Sequence, residues 1–120
     1  LQLHREVMQQ AKPGSSCAEL WNECLRRVEA AGAKDYFMGT ELQAQFVGHG
    51  LGLQINELPV LTGRSKDILE EGMIIAFEPK FVLPGVGAVG IENTYLVTSS
   101  GVECLTPAPE EIIDLNQVSR

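Results

Sequence analysis

One stretch constrains this chain more than any other: Phe46-Val47-Gly48-His49-Gly50-Leu51-Gly52-Leu53-Gln54-Ile55-Asn56-Glu57-Leu58-Pro59. A histidine stands between two glycines, with a third glycine two residues on. Glycine leaves backbone and solvent room around an imidazole and permits positive φ. The apolar entry, Phe46-Val47, predicts a strand that delivers His49 to a loop. Two later apolar segments each keep one carboxylate, Glu78 and Glu92. One histidine and two carboxylates on separate sheet segments have the composition of a metal site, and such ligands suit Zn, Mn, Fe or Co. On spacing alone, a structural histidine in a glycine-rich loop is the commoner case.

The acidic segments alternate as strands do. In Met73-Ile74-Ile75-Ala76-Phe77-Glu78, residues Ile74, Ala76 and Glu78 share one side. Pro84-Gly85-Val86-Gly87 predicts a reversal. The next strand is expected over about Ala88 to Thr98, with Gly90, Glu92 and Thr94 on one face and Val89, Ile91 and Tyr95 on the other. Each glutamate follows a small residue two positions earlier, Ala76 or Gly90, which leaves space for an ion between the strands. The alternative is a glutamate on an edge strand facing water. An unpaired buried carboxylate is costly, so an otherwise apolar strand that keeps one favours a paired site. Ser99-Ser100-Gly101 predicts a turn into a short strand over Val102 to Leu105.

The first third reads as helix. Gln2 to Ala11 places Leu3, Val7, Met8 and Ala11 on one side, and Lys12-Pro13-Gly14-Ser15 ends it. Ser16 and Glu19 form a capping-box pattern. The stripe Cys17, Leu20, Trp21, Cys24, Leu25, Val28, Ala31 follows at close to 3.6 residues per turn, so Trp21 belongs to a core. Gly32 suits the position just past the helix end. His4, between Leu3 and Arg5, is expected at the surface. Lys34-Asp35-Tyr36-Phe37-Met38-Gly39 reads as a connection with exposed aromatics, packing against a further domain half or lining a substrate rim. Glu110 to Leu115 is expected to form one or two helical turns.

The 120 residues make one domain the prior, spanning residues 1–120, and 44% hydrophobic content is enough for a core. A net charge of −7 argues against nucleic acid and against an anionic membrane, since both need basic patches. Cys17, Cys24 and Cys104 lack paired spacing and read as reduced core residues. With no membrane-length apolar run and no leader pattern, a cytoplasmic location is expected. Leu1 opens inside a helical pattern, so the natural chain is expected to extend upstream.

Four blocks arrive in one order: Gly48-His49-Gly50-Leu51-Gly52; Glu57-Leu58-Pro59; Phe77-Glu78-Pro79-Lys80; and Ile91-Glu92-Asn93-Thr94-Tyr95-Leu96-Val97-Thr98. Together they resemble the C-terminal half of a pita-bread (M24-type) metallopeptidase, in the Xaa-Pro aminopeptidase and proline dipeptidase branch, related to methionine aminopeptidases. The resemblance runs from the first helix to Thr106. It implies an α+β fold, two helices packed on an antiparallel sheet, forming the second half-repeat of the pita-bread (creatinase/aminopeptidase) architecture. It also implies two divalent metal ions, Mn, Co, Zn or Fe, bound by five ligands. Two of these are aspartates from the missing N-terminal half; the other three match His49, Glu78 and Glu92. Glu78 resembles the ligand that also handles a proton of the attacking water, and Glu92 the bridging carboxylate.

Two departures stand out. The place of the family's second histidine is Asn56, which can donate a hydrogen bond but cannot transfer a proton. Gly90 stands where many prolidase-like members carry Arg. The function implied is a dinuclear-metal hydrolase, an aminopeptidase or dipeptidase cleaving Xaa-Pro or related N-terminal peptide bonds, with a peptide as substrate. The alternatives are a pita-bread hydrolase or lyase of a small non-peptide substrate, or a non-catalytic binding module. The 120-residue piece by itself is expected to be inactive. It is also expected to be homo-oligomeric, through a face around Phe46, Phe77, Phe81 and Tyr95.

Overall fold

The computed structural model describes residues 1–117. Helix α1 spans Gln2–Met8 and α2 spans Cys17–Ala30. Helix α1 is shorter than its pattern suggests. Residues 9–11 form a looser turn ahead of Pro13, with Ala11 N–H donating to Met8 O at 3.2 Å. The Ser16 hydroxyl accepts from Glu19 N–H at 3.3 Å, which caps α2. Cys17, Leu20, Trp21, Cys24 and Val28 then face inward. Burial of side chains of this size stabilises by about 1.5–3 kcal/mol each.

The strands are β1 Gly48–Gly50, β2 Glu57–Val60, β3 Ile74–Phe77, β4 Lys80–Leu83, β5 Gly87–Gly90, β6 Asn93–Val97 and β7 Val102–Cys104. Five of them form an antiparallel sheet in the order β2-β1-β3-β6-β7, and β4 pairs with β5 in a separate ladder. Both helices pack on one side of the large sheet. Ile75, Phe77, Tyr95 and Val97 come from the sheet and meet Val7, Trp21 and Cys24 in the core. The expected architecture of two helices on an antiparallel sheet is the one observed.

Four expectations fail in informative ways. The strand expected over Ala88 to Thr98 is two strands, broken at Ile91-Glu92. Opposite the break lies Glu78-Pro79, and proline has no N–H to donate to a ladder. Phe37 is not on a rim. It is only 3% exposed, with its ring centroid 6.1 Å from Trp21 and 5.5 Å from Phe81; of the two aromatics in that connection Tyr36 alone stays at the surface. Phe77 and Tyr95 likewise lie in the core rather than on an open face. Glu110 to Leu115 forms no helix: Ile112 and Leu115 are exposed and have nothing to pack on, and one or two isolated turns are marginal in water.

Candidate metal centre

The register of the sheet brings three distant residues to one place. In antiparallel pairs, opposed residues point to the same side, and so do residues two apart on a strand. His49 opposes Ala76, and Ala76 opposes Thr94. Phe77 opposes Asn93 and Lys80 opposes Gly90, so the same register runs through the break and sets Glu78 opposite Glu92. His49, Ala76, Glu78, Glu92 and Thr94 therefore share the face away from the helices. Candidate ligand atoms of His49, Glu78 and Glu92 all lie within 4.8 Å of one another. Ala76, the smallest side chain of the group, sits between His49 and Thr94 and leaves this space clear.

The glycines beside His49 have a steric reason. A Cβ on Gly48 would come within 2.5 Å of Ala76 O, and one on Gly50 would collide with Leu58 O. Strands β3 and β2 thus approach β1 too closely for any side chain there. His49 itself is 7% exposed. Its Nδ1 donates to Gly50 O at 2.9 Å, because a carbonyl can only accept. In the neutral ring that fixes the tautomer and leaves the Nε2 lone pair pointing at Glu78 Oε1, 3.4 Å away. Two acceptors facing each other repel unless a cation lies between them. The donor set, one imidazole nitrogen and two carboxylates, thus fits a divalent ion such as Zn, Mn, Fe or Co.

Lys80 is the residue that the sequence reading missed. Its Nζ donates to Glu78 Oε2 at 2.9 Å. A signal existed: residues 78 and 80 are two apart on one extended segment and so share a face. Asn56 is exposed and lines an open groove of about 500 Å³ with Phe46, His49, Glu57, Leu58 and Val60. It therefore belongs to the same groove as His49. Gly90 is the cross-strand partner of Lys80.

The far side of the sheet backs the ligands with a polar cluster. His4 is not a surface histidine; it is 2% exposed. Its Nε2 lies 2.8 Å from the Tyr95 hydroxyl, and its ring packs edge-on against Phe77 with centroids 4.9 Å apart. Arg5 and Glu6 follow it in sequence, but its partner lies 91 positions away. His4 Nδ1 has no hydrogen-bond partner among the described residues. Burial pushes the His4 imidazole below its usual range, partly offset by Glu110, and pushes the Tyr95 phenol up to about 12. The Arg5 guanidinium, 2.7 Å from Glu110, holds that carboxyl below the usual carboxylate range. With its amide turned to satisfy its neighbours, Asn93 donates to Thr106 O at 2.9 Å and to Glu92 O at 3.3 Å. The backbone of Glu92 is thereby tied to the β7 side of the sheet.

Cys17 and Cys24 are buried free thiols, pushed by burial up to about 11 and about 12 respectively, and inert as nucleophiles. No helix among the described residues is long and apolar enough to cross a membrane.

Comparison with known proteins matches residues 1–99 to metallopeptidase family M24. The chain is 34% identical over 113 residues to an Xaa-Pro dipeptidase of Pyrococcus furiosus, covering 94% of this chain and 31% of that protein. The solved prolidase of Pyrococcus furiosus superposes with a TM-score of 0.81 at 33% identity, over 91% of this chain and 31% of that one. A methionine aminopeptidase from Thermotoga maritima superposes with a TM-score of 0.64 at 25% identity, over 89% of this chain and 49% of that one. The chain thus spans about a third of the length of the dipeptidases it matches, and its two helices and antiparallel sheet are their pita-bread fold.

Proposed function

This chain belongs to metallopeptidase family M24, and on that premise we propose that it supplies part of the active centre of a dinuclear-metal aminopeptidase or dipeptidase cleaving Xaa-Pro or related N-terminal peptide bonds. The observation that carries this reading is the convergence of His49, Glu78 and Glu92 within 4.8 Å, with the imidazole lone pair turned toward a carboxylate. His49 Nε2, Glu78 and Glu92 would hold the ions, with the remaining ligands coming from the N-terminal half of the same protein. Residues 1–120 are then the C-terminal half of one catalytic domain. Bound divalent ions lower the pKa of water and polarise a scissile carbonyl.

The residues divide the remaining tasks. Glu78 stands ready to accept the proton of the attacking water, with Oε2 held by Lys80 and Oε1 turned toward His49. Asn93 holds the Glu92 backbone, which fixes that carboxylate across from Glu78. Asn56, in the groove beside His49, is placed to donate a hydrogen bond to the substrate. Phe46, Leu58 and Val60 give the groove apolar walls that exclude water from a peptide side chain. Free cysteines fit a reducing compartment, and with it a cytoplasmic location.

A second reading has one observation in its favour. With Asn56 in place of a histidine, the groove lacks a proton donor on that side, which suits a hydrolase or lyase of a small non-peptide substrate. Metal content and a dipeptide panel on the full-length protein decide. The expected result is bound manganese, cobalt, zinc or iron together with release of the N-terminal residue from Xaa-Pro substrates. A metal-free protein, or one that cleaves no peptide, would overturn the reading.

A further inference from the structure

We propose that Lys80 is a specificity-determining residue that receives the terminal carboxylate of a dipeptide. The inference rests on the peptidase reading above and adds to it the form of the substrate, two residues ending in a free acid.

Three observations carry it. The first is position. Lys80 shares the sheet face of the ligand cluster, and its Nζ lies 2.9 Å from Glu78 Oε2, while Glu78 Oε1 lies 3.4 Å from His49 Nε2. In a dipeptide the terminal carboxylate lies one residue beyond the cleaved bond, and one residue spans about 3.8 Å. A peptide bond held at the cluster thus brings a terminal carboxylate within reach of this ammonium. A longer peptide would bring a neutral amide there instead.

The second observation is unused capacity. An ammonium has three N–H donors. Among the described residues Nζ makes one hydrogen bond, to Glu78, and the side chain is 41% exposed. Two donors remain for a ligand. The third is space. A Cβ on Gly90, the cross-strand partner, would come within 2.7 Å of Lys80 Cβ and 2.8 Å of Pro79 O. Any side chain at position 90 would displace Lys80, so the bare glycine and the lysine form a matched pair.

The competing account is that Lys80 only neutralises Glu78. It predicts equal losses for ligands with and without a carboxylate. The test uses the full-length protein, a non-cleavable dipeptide isostere and its C-terminal amide, with calorimetry on wild type, Lys80→Met and Lys80→Arg. Kinetics on a matched cleavable acid and amide run alongside. The expected wild type prefers the acid by about tenfold to a hundredfold, the worth of a charge-assisted hydrogen bond. Lys80→Met brings the acid-to-amide ratio close to one through KM, whatever loss both ligands share through the freed Glu78, while Lys80→Arg keeps most of the ratio. An acid preference that survives in Lys80→Met, with acid and amide weakened by the same factor, overturns the proposal. Acid-selective binding without cleavage of any dipeptide supports the role of Lys80 and defeats the peptidase reading. Cleavage without acid preference in wild type does the reverse.

Discussion

Acidification should destabilise this protein through His4, and the size of the effect follows from where that ring sits. The imidazole is buried against Phe77, Tyr95 and Asn93, and burial holds its folded value below the ordinary 6.5. Glu110 opposes the shift, while Arg5 and the amino terminus add to it, and burial is the largest cause. The unfolded chain therefore takes up a proton near pH 6.5 that the folded chain refuses. Between the two values the unfolded state holds more protons, so stability rises with pH in that window and falls as pH drops below about 6.5. One proton is worth at most about 1.4 kcal/mol per pH unit. That is a sizeable share of the roughly 5–15 kcal/mol typical of a domain. Glu110 is also shifted downward, but from 4.5, so its contribution is lost only at more acidic pH and does not overlap. The assay is urea unfolding at constant ionic strength, from about pH 7.5 to about pH 5.5, on wild type and His4→Gln. Gln can still bond the Tyr95 hydroxyl but does not titrate, and His49 is common to both proteins, so the difference isolates His4. Equal pH slopes in the two proteins would refute the reasoning.

Glu92→Gln in the full-length protein should abolish turnover and lower metal occupancy, read by elemental analysis; a fully loaded, active variant would contradict the ligand assignment. The 120-residue chain carries three of the five expected ligands and should bind Mn²⁺, Co²⁺ or Zn²⁺ weakly, so a sub-micromolar paired site in calorimetry would argue against that set. Ser16→Ala should cost about 1 kcal/mol in urea unfolding through loss of the α2 cap, and an unchanged midpoint would show the Ser16–Glu19 bond to be idle. The 120-residue chain should self-associate through the face bearing His49, Glu78 and Glu92, where Leu53, Ile55 and Leu58 lie exposed nearby; a monomer mass by light scattering at tens of micromolar excludes it.

Much of the fold was legible because its signals are local. The α2 stripe and its Ser16 cap follow from periodicity and neighbouring residues, and they appear where the pattern puts them. Alternation along 74–78 and 90–94 placed Glu78 and Glu92 on the face they occupy, and the four ordered blocks pointed to the family. The metal role of those residues still rests on their chemistry and on the family. What failed was non-local. His4 looked exposed because only Arg5 and Glu6 were visible beside it; its burial is created by Tyr95, at the other end of the chain. Phe37 reads as rim until α2 and β4 close over it. The break at Ile91-Glu92 is caused by Pro79 on the opposite strand, which is invisible when the strand is read alone. Lys80 was local and readable, yet its charge becomes meaningful only once Glu78 is known to carry two separate contacts.

Glu78 and Glu92 sit in a gap between two ladders whose registers agree, and that makes the site depend on counting. Three steps lead from Phe77 to Lys80 and three from Gly90 to Asn93. Deleting or inserting a single residue within either bridge would reverse the side of that carboxylate relative to one of the two flanking ladders, so the shared face of the site would be lost while each ladder could still form. A change of two would restore the side but alter the length of one bridge. The tip at Pro84-Gly85-Val86 carries no such constraint: it is exposed and lies outside both ladders. Length variation among homologous sequences, or loop grafts made by an engineer, should therefore be absorbed at the tip and be barred by parity at the bridges.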